Sequence, residues 1–148
     1  MIRLTVALAA LAASALHPPA FAREEPLAIK ANDARLTWGK CPPIFATGCE
    51  IAILHGDPGK PNSDVFLRIA AGATLPAHWH SSAERMTLSR GQLSIPYAGG
   101  SPAVLQAGDY AFGPAKHVHS AQCVSAEPCT LFIAFEGPVD AQPASKAQ

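Results

Sequence analysis

From residue 50 onward, apolar and polar positions alternate with a period of two, and glycine or proline interrupts the pattern every few residues. Residues 50–55, EIAILH, form an isoleucine-rich run that Gly56-Asp57-Pro58-Gly59 stops. In 64–70, Val65, Leu67 and Ile69 fall on one face, and Phe66, Arg68 and Ala70 on the other. Further on, Glu84, Met86 and Leu88 share a face opposite Arg85, Thr87 and Ser89. Shorter runs follow at 92–97, 103–105 and 110–112, then a run starting at His117, then the aromatic-rich 130–136. Such alternation predicts half-buried strands, and no segment after residue 22 sustains a helical apolar period. A short strand is also expected at 35–38, before a loop at 39–49 with two prolines and two glycines. Many short strands joined by Gly/Pro turns predict an all-β sandwich or barrel.

The two ends read differently. Residues 1–22 carry Arg3, an apolar run from Leu4 to Leu16 and Ala20-Phe21-Ala22. A basic start, a short apolar core and a small-x-small site describe a secretory signal peptide cleaved after Ala22. The run is too short for a permanent membrane span, and no twin arginine precedes it. The expected location is therefore periplasmic or secreted, with no membrane contact after cleavage. Residues 23–34 read as a polar arm, 35–137 as one barrel domain, and 138–148 as a flexible Ala/Pro/Gln/Lys tail. Of 148 residues, 11 are basic and 11 acidic. Losing Arg3 leaves one more acid than base, without a basic stripe, which argues against nucleic acid as a partner.

The chemistry concentrates in 72–91, GATLPAHWHSSAERMTLSRG. In a strand, His78 and His80 project from one face with Trp79 on the other. The small residues Ser81, Ser82 and Ala83 can turn or bulge, bringing Glu84 back to the same place. Glu84 lies on an apolar face, where an unpartnered carboxylate is costly and a metal ion is a fitting partner. Two imidazoles and a carboxylate suit one divalent Fe, Mn, Ni, Cu or Zn.

Gly72, His78, His80, Glu84 and Gly91 also resemble, at every spacing, the first motif of the cupin superfamily. Its second motif is matched by Gly108, Pro114 and His119, with Lys116 in place of the turn glycine and Cys123 in place of the asparagine. The resemblance implies a small double-stranded β-helix, or jelly-roll, barrel. It makes His119 the fourth metal ligand beside His78, His80 and Glu84. Lys116 then implies either a left-handed non-glycine residue or a shifted turn, in which His117 rather than His119 would be the ligand. Cupins also often pair an N-terminal strand across a homodimer, so the resemblance extends to that role for the arm.

The cupins it resembles include dioxygenases, isomerases, decarboxylases, lyases and plain binding proteins, so fold alone does not give function. The leading expectation is a metal-dependent, dioxygenase-like oxidoreductase acting on a small organic molecule. Glu84 would serve as ligand and base, and His117 as a group beside the metal. Arg68, Met86, Tyr97 and Phe112 are expected at the pocket, with Phe66, Phe132 and Phe135 as further lining. Arg68 also reads as a solvated outer-face charge, and His55 as a polar strand end. The alternatives are a metal-dependent isomerase or lyase, and a non-catalytic periplasmic cupin that captures or senses a ligand or metal, similar to the zinc-bearing domain of some anti-sigma factors.

Four cysteines in an exported chain make disulfides the default. Cys41 with Cys49 and Cys123 with Cys129 each close a short local loop. A thiolate metal site is the competing reading, but neither pair has zinc-knuckle spacing.

Overall fold

A computed structural model describes residues 24–144, so the signal peptide expected at 1–22 lies outside the described residues. Among the described residues, eleven strands form two antiparallel sheets. In chain order they are β1 (Gly39–Lys40), β2 (Cys49–His55), β3 (Ser63–Ile69), β4 (Thr74–Trp79), β5 (Glu84–Arg90) and β6 (Gln92–Ile95). Then come β7 (Ala103–Gln106), β8 (Tyr110–Gly113), β9 (His119–Cys123), β10 (Cys129–Phe135) and β11 (Gln142–Pro143). One sheet runs β1-β2-β3-β10-β5-β8 and the other β11-β4-β9-β6-β7. The two pack as a jelly-roll barrel, the all-β class that the alternation predicts. Among the described residues, no helix is long and apolar enough to cross a membrane.

Period-two alternation decides which side chains fill the barrel. Val65 and Ile69 of β3, Met86 and Leu88 of β5, and Leu131, Ile133 and Phe135 of β10 are buried in one core. Leu75, Leu93, Ile95 and Ala121 meet them from the opposite sheet. Burying each large aliphatic side chain contributes about 1.5–3 kcal/mol, so this interior carries the stability of the barrel. The outer face of the first sheet has its own smaller cluster. Phe66 and Phe132 meet edge to face at 6.4 Å, and Leu27 and Ile29 of the N-terminal arm border the same hollow.

Several boundaries differ from the sequence reading. Residues 35–38 form no strand; Arg35 turns back to bond the Asp33 carboxylate through its backbone and guanidinium. Pairing begins at Gly39 and Lys40, inside the stretch read as a loop, because the edge of β2 offers partners at Ile51 and Glu50. β6 ends at Ile95, since Pro96 has no N–H to continue a ladder. Tyr97 then makes only an isolated bridge to His119.

The tail expected to be flexible from residue 138 is folded back as far as Ala144. Its β11 pairs with β4, Gln142 opposite Trp79 and Pro143 opposite His78. The Val139 and Ala144 N–H groups donate to the Pro58 and Ala77 carbonyls at 2.9 and 3.1 Å.

Disulfides join Cys41 to Cys49 and Cys123 to Cys129. The second lies under the β5–β6 turn, where Gly91 has φ 86° and a Cβ would fall 2.9 Å from the Cys129 sulfur. Only glycine fits that turn.

Candidate metal centre

The site is built at one end of the barrel by β4, β5 and β9. The register of β4 against β9 slips between Leu75 and His78: two residues pass on β9 while three pass on β4. This bulge at Pro76 and Ala77 shifts the alternation by one, so both Leu75 and His78 face inward and are buried. It also turns the Pro76 carbonyl onto His78 Nδ1, at 2.7 Å. His80 follows two residues later on the same side. His119 opens β9 directly opposite His78. Glu84 opens β5 opposite Gly113 of β8, where a Cβ would lie 2.8 Å from the Glu84 side chain. Glycine at 113 therefore makes the space in which the carboxylate sits.

The ligand-capable nitrogens of His78, His80 and His119 all lie within 4.8 Å of one another. The Glu84 carboxylate joins them, with Oε2 3.5 Å from His80 Nε2 and Oε1 3.4 Å from His119 Nε2. All four side chains are buried. Each imidazole has its Nδ1 against a backbone carbonyl: Pro76 for His78, Asp140 for His80, and His117 for His119 at 3.1 Å. A carbonyl can only accept, so each Nδ1 carries a proton and the Nε2 of each ring is the nitrogen left for a ligand bond.

Burial pushes His78 down to about 3, helped by neighbouring His119, and pushes His119 down to about 4. Burial raises Glu84, against the pull of His80. Its Oε1 has no hydrogen-bond partner. Three imidazoles thus meet in an apolar interior with a buried carboxylate against two of them, and the three histidines could hold a metal ion. The donor set is the nitrogen-rich, single-carboxylate kind that suits Zn, Fe, Mn, Ni or Cu.

Beside this cluster is a cavity of about 50 Å³, lined by apolar side chains that include Met86, Phe135 and Phe45. Val139, Asp140 and Ala141 of the folded-back C-terminal segment close part of it. The Asp140 carboxylate accepts the Ser81 N–H at 3.0 Å, while its carbonyl holds His80.

The other sequence candidates separate clearly. Met86 and Phe135 line the cavity. Tyr97, expected at the pocket, does not line it; its ring lies 5.2 Å from that of His119, behind the cluster's β9 ligand, and its hydroxyl is enclosed without a partner. Burial, then the Glu84 charge, push that hydroxyl up to about 12. Arg68 is not at the pocket. It lies on the outer face, paired with Glu50 and 4.0 Å over the Trp38 ring. Phe112 also points outward and is half exposed, because it sits opposite Arg85 on the solvent face of the β5–β8 pair. Phe66 and Phe132 belong to the outer cluster. His55 is exposed, 3.4 Å from the Glu24 carboxylate.

His117 is exposed as well, its Nε2 3.1 Å from the Ala98 carbonyl. It reaches the centre only through its own carbonyl, the partner of His119 Nδ1. The turn before it is not shifted: Lys116 takes φ 61° and donates its N–H to the His80 carbonyl at 2.8 Å. His119, not His117, thereby joins the cluster.

The residues that sequence reasoning missed are Phe45, Gly113 and Asp140. Phe45 meets the His78 ring edge to face at 4.7 Å. Asp140 acts through a carbonyl, which carries no residue-type signal. The one hint for the closing segment was Val139, an apolar residue just after the Gly137-Pro138 stop.

Residues 27–140 match the family model described as the ChrR cupin-like domain. A search of curated proteins gives no match. Among solved structures, the chain is similar to the DMSP lyase DddQ from Ruegeria pomeroyi, with 18% identity and a TM-score of 0.64 over 76% of this chain and 63% of that one. It is similar to an RmlC-like cupin from Shewanella frigidimarina, at 21% identity and a TM-score of 0.59, over 71% and 86%. An oxalate oxidase matches at 18% identity and a TM-score of 0.55, over 66% and 55%. At these identities the likeness establishes the fold.

Proposed function

The chain belongs to the ChrR cupin-like family, and we propose that it is an exported cupin whose His78, His80, His119 and Glu84 hold one divalent transition metal for dioxygenase-type oxidation of a small molecule. The observation that carries the metal is the donor set itself: three imidazoles converge with a buried carboxylate against two of them. Export is supported by the leader pattern and by two disulfides, which persist in oxidising compartments.

When bound, the metal would supply Lewis acidity and a template for a small molecule together with dioxygen or water. The chain's own residues do the rest. The three carbonyls fix the imidazole rings, so the ligand atoms need little rearrangement on loading. Apolar walls exclude bulk water from the cavity. Glu84, as a carboxylate ligand, would be able to loosen one oxygen and take a proton from a molecule held there when a position opens. An oxalate oxidase and a DMSP lyase among the similar structures are enzymes on this fold.

A second reading, a non-catalytic protein that senses or captures a metal or small ligand, draws on the cavity. About 50 Å³ is well below the roughly 300–1,000 Å³ of ordinary substrate pockets. Metal analysis and X-ray absorption on protein recovered from its own compartment separate the readings. Iron, manganese, nickel or copper with exchangeable water ligands, followed by oxygen uptake in a small-molecule screen, is the expected result. Zinc in a closed four-ligand shell would replace the oxidase reading with the sensing one. Absence of any stoichiometric metal would sink the oxidase reading and leave only small-ligand capture.

A further inference from the structure

Phe45 touches two separate hollows. Inside, it lines the small cavity beside the metal ligands and packs on His78. Outside, it lines a surface groove with Lys40, Glu50, Arg68 and Pro128. Among the described residues no other borders both, so Phe45 is where the two hollows come together. The loop that carries it alternates in the same sense, with Pro42 on the cavity and Pro43 on the groove.

The loop's attachment suits a moving part. Strand pairing apart, its backbone bonds are Phe45 N–H to the Pro42 carbonyl, within the loop, and Ala70 N–H to the Gly48 carbonyl at its end. What keeps it in place is side-chain packing, of Phe45 at 8% exposure and of the partly buried Ile44 and Cys41, and the Cys41–Cys49 crosslink at its base. The C-terminal segment is instead tied to β4, to Pro58 and to the ligand His80. Of the two closures, the 41–49 loop has less to break on opening.

Resting on the proposed metal site, we infer that Phe45 is a size-selecting gate between the surface groove and the metal chamber, and that the Cys41–Cys49 crosslink keeps it shut. Ligands of a few atoms fit the closed chamber. Planar rings enter only when the phenyl group leaves. The volumes decide this: an apolar cavity of about 150 Å³ admits benzene, whereas this one has about 50 Å³. Removing a phenyl ring frees on the order of 100 Å³, which brings the chamber to benzene size.

The test uses mature protein loaded with Co²⁺, whose visible spectrum reports on its ligands whether or not the protein turns over a substrate. Azide and imidazole are the small and the ring-shaped probe. In the wild type, azide should change the spectrum and imidazole should not. In Phe45→Ala both should. In Cys41→Ser/Cys49→Ser, which keeps the phenyl ring but frees the loop, imidazole should bind, at least roughly tenfold more weakly than in Phe45→Ala. Far-UV circular dichroism checks each fold, and Phe45→Leu, a smaller plug, should fall between the wild type and Phe45→Ala. Equal imidazole response in wild type and Phe45→Ala would overturn the gate while leaving the metal site standing. Failure of every form to take up Co²⁺ would remove the metal reading and the gate with it.

Discussion

Two segments close the metal chamber, and they differ in what holds them. The C-terminal segment is held by backbone hydrogen bonds: β11 pairs with β4, and the Asp140 carbonyl meets His80 Nδ1. The 41–49 loop is held by a buried ring and a disulfide. A carbonyl bonded to a ligand orients it and sets its tautomer, so the C-terminal segment bears on how tightly a cation is held. A ring resting on the edge of His78 orients nothing by hydrogen bonding, so the loop bears on what gets in. Affinity and access are thus assigned to two different segments around one site.

The largest effect comes from removing what both segments cover. The double variant His78→Ala/His80→Ala should retain no metal while keeping its β-sheet spectrum, checked by elemental analysis and circular dichroism. Wild-type stoichiometry would sink the site. Acid should expose the same residues in the metal-free wild type. His78 and His119 have folded values near 3 and 4, below the ordinary 6.5. The unfolded chain therefore takes up protons first, and stability falls as pH drops below about 6.5 towards 3–4. Glu84, raised by burial, acts the other way and costs the metal-free protein stability above its ordinary range. Urea midpoints across pH should accordingly show acid loss that is shallower in the double variant. Identical profiles would refute the neutral, buried histidines.

The contrast between the two closures sharpens next. Ending the chain at Gly137 removes the carbonyl that orients His80 and should weaken metal binding by about 10–100-fold, the usual cost of losing such an outer partner. Chelator competition measures it. The Cys41→Ser/Cys49→Ser variant should instead lose about 2–3 kcal/mol of folding stability in urea, from loop-closure entropy, and keep its equilibrium affinity within a few-fold. If the disulfide variant lost as much affinity as the truncation, the division of roles would be wrong.

These same regions show what a sequence can and cannot display. His78, His80, Glu84 and His119 stand out because metal chemistry needs particular side chains at particular spacings. So do the two short cysteine loops, which close locally. The bulge at Pro76 and Ala77 is less visible: strict alternation would put Leu75 and His78 on opposite faces, and one inserted residue puts both inside. Phe45 and Asp140 were not legible as site residues because tertiary packing alone brings them there. Alternation also separates two faces without saying which one faces in. Arg68 and Phe66 lie on the opposite face of β3 from Val65 and Ile69, and only the second sheet covering the latter made theirs the outer one.

Gly113→Ala probes the ligand set from a third direction. Its new methyl would meet the Glu84 Cγ and Oε1 at 2.8 Å. Overpacking of this kind costs about 1–3 kcal/mol, and here the displaced atom is a ligand oxygen. Metal affinity and stability should fall together, a pairing that neither the truncation nor the disulfide variant is expected to show in that proportion. Unchanged affinity would place Glu84 outside the coordination set.

The smallest effect belongs to Arg68, and it isolates the gate from the groove around it. Arg68 forms an exposed pair with Glu50, lies over Trp38 and walls the groove outside Phe45. Exposed ion pairs contribute about 0–1 kcal/mol and a solvated cation–π contact about 0.5–1. Arg68→Ala should therefore lower the urea midpoint by no more than about 1–2 kcal/mol equivalent. It should leave Co²⁺ affinity and the rate of metal removal by chelator where they were. A residue on the groove wall has no atom in the gate, so altering it changes the approach but not the aperture. A faster chelation rate in Arg68→Ala would show that the resistance to entry lies in the whole groove rather than in one ring.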